Sequence, residues 1–478
     1  MADGLLVERL RQYLRDLKPE ARALLIAELE RGLLRGDDAP GAELVLQELR
    51  RASREPNRPS PRTGSLARLF FQPLEPFLVD DTASHNHPGR IARVALDPIW
   101  QWICRDLLPG EAKAVTDEVA RAFASDDTAK AEALGRAFQD RSVQRMQEAL
   151  KSAEGDDKGR RKLAAQIGTP RALEDVAAIL NILKARDTLA ALGARLPGHI
   201  KNLADAQLDE VKTLLDQPQV ASPTLFLSAL VLVMSKLAAP WQLVRLATKA
   251  ASSDSAARVS ETPYAIAVAI VLAEIERMVG ELKAELRSGR GVATGALLKG
   301  IHDAARGMRT EINMSTDSPW GKQLAALRTE ISNLLKSEIE SLPGRVRRLL
   351  RPRPTKEIGA NATLDAGDVA ETETLIEFVS ICRNYASELA VSEMTQRAYS
   401  DVHHYLDTST QSLVDALRNA GDQDRVFRKS QLDAAARFCA KMFGQEYADL
   451  LTKAGSMPAN TERKAANGAE RKAANGKA

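Results

Sequence analysis

Aromatic side chains make up only 4% of this 478-residue chain, and it has three cysteines and six histidines. Each shortage excludes something. Cys104, Cys382 and Cys439 are odd in number and far apart, so they cannot form the disulfide framework of a small secreted domain. They sit inside apolar helical runs, as free thiols do in a reducing compartment. Runs of Val, Ile, Thr and Tyr with strict alternation are nearly absent, which argues against a sheet-based fold. Met1-Ala2-Asp3-Gly4 lacks the basic and apolar regions of a cleavable leader, so the expected location is cytoplasmic.

A long uninterrupted apolar run is also lacking. Spanning a bilayer takes about 20 mostly apolar residues. The apolar stretch from Leu225 to Ala239 contains Lys236 and stops at Pro240. The stretch beginning at Ala265 loses its all-round character at Glu274, beyond which Ile275, Met278, Leu282 and Leu286 form one stripe. Both runs are too short to span, and they predict two helices within 223–288 buried by protein, the centre around which the chain is organised. Ser222-Pro223 and Thr262-Pro263 mark their starts, a hydroxyl N-cap followed by Pro where a missing N–H costs nothing, and Thr169-Pro170 repeats the pattern.

Ala, Leu, Arg and Glu dominate what remains, with 44% apolar and 27% charged residues overall. These side chains lose little freedom in a helix. The expected fold is all-α, a multi-helix bundle or irregular helical array with a small N-terminal helical module and a C-terminal helical unit. At this length, more than one hydrophobic core is expected.

The expected organisation is as follows. Residues 1–53 form the N-terminal module, and 54–64, rich in Pro, Ser and Arg, a linker. Residues 65–154 hold an aromatic segment plus helices. In it Leu69 to Val79 carries three Phe between closely spaced prolines, and is expected to press on the body beside Trp100 and Trp102 or else to offer a partner an apolar patch. Residues 155–342 make the central domain. Its last helix, 319–342, has Leu324, Leu327, Ile331 and Leu334 on a heptad seam that drifts onto Leu335, Ile339 and Leu342, as in a bundle. Residues 343–372 form a basic-then-acidic linker, and 373–453 the C-terminal unit with Leu375, Val379, Cys382, Ala386 and Leu389 on one seam. The tail 454–478 repeats Glu-Arg-Lys-Ala-Ala-Asn-Gly and is expected to be disordered.

Chemistry-bearing motifs are few. Gly321-Lys322 is followed by Gln323 and lacks the first Gly of a phosphate-binding loop. The best metal candidate is Asp401-Val402-His403-His404-Tyr405-Leu406-Asp407. Helical spacing pairs Asp401 with His404 and His403 with Asp407, but no second acid-x-x-His completes a di-metal site, so surface ion pairs compete with the metal reading. His85 and His87 alternate in a loop and supply only two ligands. No cofactor and no small-molecule substrate is called for. A metal-dependent enzyme using these histidines is the least favoured of the readings.

Charge is informative where it is dense. Net charge is +3, all of it accounted for by Arg463, Lys464, Arg471, Lys472 and Lys477 against Glu462 and Glu470. A neutral remainder argues against a global footprint for nucleic acid. The one dense basic block is Arg345, Arg347, Arg348, Arg351, Arg353 and Lys356. It is read either as a site for nucleic acid or an anionic membrane surface, together with the tail, or as a linker neutralised by the acids that follow it. The function expected is a structural or protein-interaction role, scaffold-like, with a protein partner or self-association.

Overall fold

The computed structural model describes residues 25–26, 29, 45–46, 49, 65–80, 88–155, 157–288, 294–359 and 362–456. Among these the fold is all-α, with nineteen α-helices and one two-stranded parallel sheet. The linker 54–64 and residues 457–478 of the expected tail lie outside the described residues. So does most of the N-terminal module. Within it, Ile26, Leu46 and Leu49 share a small apolar cluster with Leu29 and Val45 at its edge. The chain divides into two units. One runs to Leu297 and resumes at Asp303–Lys322; the other comprises Leu298–His302 and everything from Gln323 onward.

The first unit begins with α1 (Leu66–Phe71), a 3-10 turn (Gln72–Phe77), and strands β1 (Leu78–Val79) and β2 (Ile91–Ala92), paired in parallel. Then come α2 (Leu96–Trp102), α3 (Pro109–Ala124), α4 (Thr128–Ala153), α5 (Asp157–Ile167), α6 (Pro170–Lys184) and α7 (Arg186–Arg195). The expected aromatic packing is present around Trp100, while Trp102 is buried without a ring contact to these Phe side chains among the described residues. Phe70 is fully buried, with ring centroids 5.5 Å from Trp100, 5.0 Å from Phe71 and 6.0 Å from Phe138. Such edge and tilted contacts add about 0.5–1.5 kcal/mol each beyond burial. These rings are used inside the unit, so the alternative of an exposed patch does not hold. The carbonyls of Leu69 and Phe70, left over at the end of α1, accept from the buried side-chain amide of Gln139 at 3.0 and 2.9 Å.

The middle of this unit is α8 (Asp205–Leu215), α9 (Pro223–Met234), α10 (Val244–Ala251), α11 (Ala256–Ser260) and α12 (Ala265–Ser288), followed by α13 (Thr294–Glu311). Helix α9 is enclosed by the 3-10 turn, α6, α7, α8 and α12. Leu230 is 0% and Ile270 2% exposed, as a helix apolar on every side requires. No helix among the described residues is long and apolar enough to cross a membrane. Past Glu274, Ile275 and Leu282 are buried while Met278 and Leu286 are half-buried, the stripe expected. Gly89 (φ +71°) lets a loop lie on α9, where a Cβ would stand 2.8 Å from Val231.

Two of the three hydroxyl-Pro caps act differently from expectation. Thr169 does cap α6, accepting from the Ala172 N–H at 3.1 Å. Ser222 precedes α9 without a side-chain cap bond. Thr262 instead donates back to the Val259 carbonyl at 2.9 Å, and α12 begins at Ala265. A preceding turn offers that hydroxyl an acceptor before the helix offers a donor.

The second unit holds most of α14 (Pro319–Leu350), then α15 (Ala366–Asn384), α16 (Ala386–Leu389), α17 (Ser392–Arg418), α18 (Arg425–Phe443) and α19 (Gln445–Ser456). Helix α15 packs on α17 and α18, and α19 on α17 and α18. The predicted seam is in place, with Leu375, Val379, Cys382 and Leu389 all 0% exposed and Ala386 9%. The drift along α14 is also as predicted. Leu324, Leu327, Ile331, Leu335, Ile339 and Leu342 are buried while Leu334 is half-buried. The helix does not end there, however. It passes through Pro343 to Leu350 because Val346, Leu349 and Leu350 extend the same buried stripe.

Candidate interaction surface

That extension changes the basic block from linker to structure. Pro343 contributes no N–H, so the Ile339 carbonyl loses its helical donor, a local cost that the apolar stripe outweighs. The four carbonyls at a helix end need partners. Gln431, fully buried on α18, donates its Nε2 to the carbonyl of Leu349 at 3.1 Å and to that of Arg351 at 3.0 Å. Arg428 donates to the Arg353 carbonyl and lies 3.5 Å from Asp424, whose other donor is the Thr355 hydroxyl at 3.1 Å. The backbone from Leu349 to Thr355 is thereby tied to the first turns of α18. A 3-10 turn, Thr355–Glu357, follows. Asp365 then caps α15 by accepting from the Asp368 N–H at 2.8 Å.

The six cations of the block divide into two groups. Arg345 pairs with Glu371 at 2.6 Å and Arg348 with Asp368 at 3.4 Å. Neutralisation by the acids that follow is therefore real for these two. Arg347, Arg351, Arg353 and Lys356 have no ion pair with any described residue. The Arg347 guanidinium lies over the Tyr405 ring at 5.9 Å and that of Arg353 over Phe427 at 5.1 Å. Stacking of this kind fixes the planar group while leaving its in-plane N–H donors available. Arg347, Arg351 and Lys356 are exposed and Arg353 is half-buried. The Arg351 N–H bonds the Arg347 carbonyl at 2.9 Å, so these two side chains stand one turn apart.

The histidine candidates are not drawn together. Asp401, His403, His404 and Asp407 all lie exposed on α17. Neither expected carboxylate–imidazole pair forms among the described residues. The His403 ring instead packs edge-on against Phe443 at 4.6 Å. An aromatic partner on the neighbouring helix takes the position that a carboxylate one turn away was expected to fill. Among the described residues no group of three or more His, Cys, Asp or Glu side chains is placed to hold a metal. His85 and His87 lie outside the described residues.

Burial raises the thiol pKa of Cys104, pushes that of Cys439 up to about 12 and raises that of Cys382 further. Thiols held this way are poor nucleophiles. Gly321 owes its place to packing: a Cβ there would stand 2.1 Å from the Ser315 carbonyl, in the turn that caps α14.

Sequence reasoning found the six basic residues but not what holds them. Gln431, Arg428, Tyr405 and Phe427 come from helices far along the chain, and no local pattern marks them as partners. Comparison with protein-family models, with curated proteins and with solved structures finds no match.

Proposed function

We propose that this chain is an all-α interaction protein that works by docking another macromolecule on a preformed charged surface, in the cytoplasm. One observation carries the reading. Arg351 and Arg353 project from backbone tied down by Gln431 and Arg428, with Arg347 and Lys356 flanking it, yet no described carboxylate neutralises the four. A rigid display of unpaired cations reduces the ordering cost of binding. The free, buried thiols of Cys382 and Cys439 support a reducing compartment. Cross-linking with mass spectrometry in the native host, alongside sedimentation of the purified chain over rising concentration, tests the proposal. Reproducible cross-links to a partner, or self-association, are expected. A chain that stays monomeric throughout and yields no cross-linked protein would rule it out.

The same cations favour a second reading, peripheral binding to nucleic acid or an anionic membrane through Arg345 to Lys356. That reading predicts gel shifts or vesicle binding that weaken steeply with salt. No binding by the native chain would dispose of it.

A further inference from the structure

We propose that Arg347 and Arg351, flanked by Arg353 and Lys356, form a docking face for an acidic helical segment of a partner protein. The inference rests on the interaction reading above and names the chemistry of the partner. Its template is within the unit itself. On α14, Arg345 and Arg348 are three residues apart; on α15, Asp368 and Glu371 are three residues apart; they pair crosswise at 2.6 and 3.4 Å. An acidic helix thus already lies against one side of this basic helix end. Arg347 and Arg351 repeat the arrangement with i,i+4 spacing on the neighbouring side, and there no described acid answers them. Carboxylates one turn apart on an incoming helix match that spacing.

Other polyanions fit less well. Binding single-stranded nucleic acid relies on bare aromatic faces for stacking, whereas Tyr405 and Phe427 each have a guanidinium over the ring. Entry into a bilayer surface relies on a cluster of exposed apolar side chains. Along 345–358 and the first turns of α18, the one exposed large apolar side chain is Val426. Two acids close to the block are already placed: Asp424, brought there by the fold, is buried against Arg428 and Thr355, and Glu357 follows Lys356 on the exposed 3-10 turn.

The experiment measures fluorescence anisotropy of a labelled helical peptide with glutamate at every fourth position, titrated with the full chain. Binding is expected at low salt and should weaken as salt screens the pairs. The R347Q/R351Q variant should lose about tenfold in affinity, while K336Q/K453Q, the same change of charge at exposed lysines elsewhere on the unit, should bind as the wild type does. Both variants should keep the wild-type circular dichroism spectrum. In the reciprocal arm, R347E/R351E should bind the lysine version of the peptide better than the wild type does. The inference is overturned if the wild type does not bind the acidic peptide, or if R347Q/R351Q binds it unchanged. Tighter binding of oligothymidylate or of phosphatidylserine vesicles than of the peptide also overturns it. Partners captured by cross-linking in the host alongside a failed peptide titration would leave the interaction reading standing and remove this one.

Discussion

Gln431 donates its side-chain amide to the carbonyl oxygen of Leu349 at 3.1 Å, joining α18 to the end of α14 across 82 residues of chain. The same nitrogen reaches the Arg351 carbonyl, so one buried group serves two acceptors that the helix leaves over. Gln139 does the same for Leu69 and Phe70, and Gln242 both accepts from the Leu203 N–H and donates to the Lys201 carbonyl. In this protein, buried glutamines hold backbone that the helices themselves cannot satisfy.

Replacing Gln431 with Leu keeps the volume and removes the donor. Buried carbonyls left without partners cost about 1–3 kcal/mol. Urea denaturation of Q431L should show that loss. Hydrogen exchange should quicken through residues 349–353, where the cation face would loosen. An unchanged midpoint would mean that water replaces the amide without penalty.

Pro343 lies inside α14, where it deprives Ile339 of a helical donor. The expected effect of P343A is a gain of about 1–3 kcal/mol, because the restored N–H completes the ladder and the ring is relieved. Differential scanning calorimetry reads it directly. A lower melting temperature would show that the packing of Val346 and Leu349 depends on a bend at the proline.

Two helical glycines should respond with opposite sign to alanine. A Cβ on Gly307 would stand 2.2 Å from the Trp241 indole, so G307A must displace a large ring and should cost about 1–3 kcal/mol. Gly280 on α12 has nothing within 4 Å of a Cβ, and G280A should stabilise by about 0.5–1 kcal/mol through helix propensity. Parallel chemical denaturation of the two variants checks the pair.

Asp175 on α6 accepts from the Ala92 N–H at 3.2 Å and so ties β2 to that helix. Burial raises its carboxyl pKa, and the Ala92 bond and Arg171 only partly offset this, while Glu174 adds to the rise. The unfolded chain gives up this proton near about pH 4, and the folded chain holds it to higher pH. Within that window the folded state binds more protons, so this group's contribution to stability falls as pH rises and is least favourable at neutral pH. D175N has no such proton to lose. The difference in urea midpoint between wild type and D175N should therefore change across the window just above pH 4 and be constant near neutrality. A difference independent of pH throughout would refute the assignment.

Much of the fold was legible because helices are local. The enclosure of α9 follows from an apolar run with no polar face, and the stripe along α12 and the seam from Leu375 to Leu389 follow from spacing. Thr169-Pro170 behaved as its residues imply, whereas Thr262-Pro263 did not, because the turn at Val259 competes for the hydroxyl. The short helices α10 and α11 lie between the two apolar runs and carry no pattern long enough to reveal them. The prolines after Leu342 pointed to a linker, but the local penalty of one proline is smaller than the burial of the three apolar residues beyond it.

Composition and periodicity by themselves settled that this chain is helical, which faces of its helices are apolar, and that its runs are too short to span a bilayer, since all three depend on neighbours a turn or two away. Tertiary structure alone decided which arginines of the basic block meet an acid among the described residues and which do not, that His403 meets Phe443 in place of a carboxylate, and that α14 continues through its proline. Those outcomes depend on side chains brought together from distant parts of the chain, and the energy of such meetings has no signature in any one stretch of sequence.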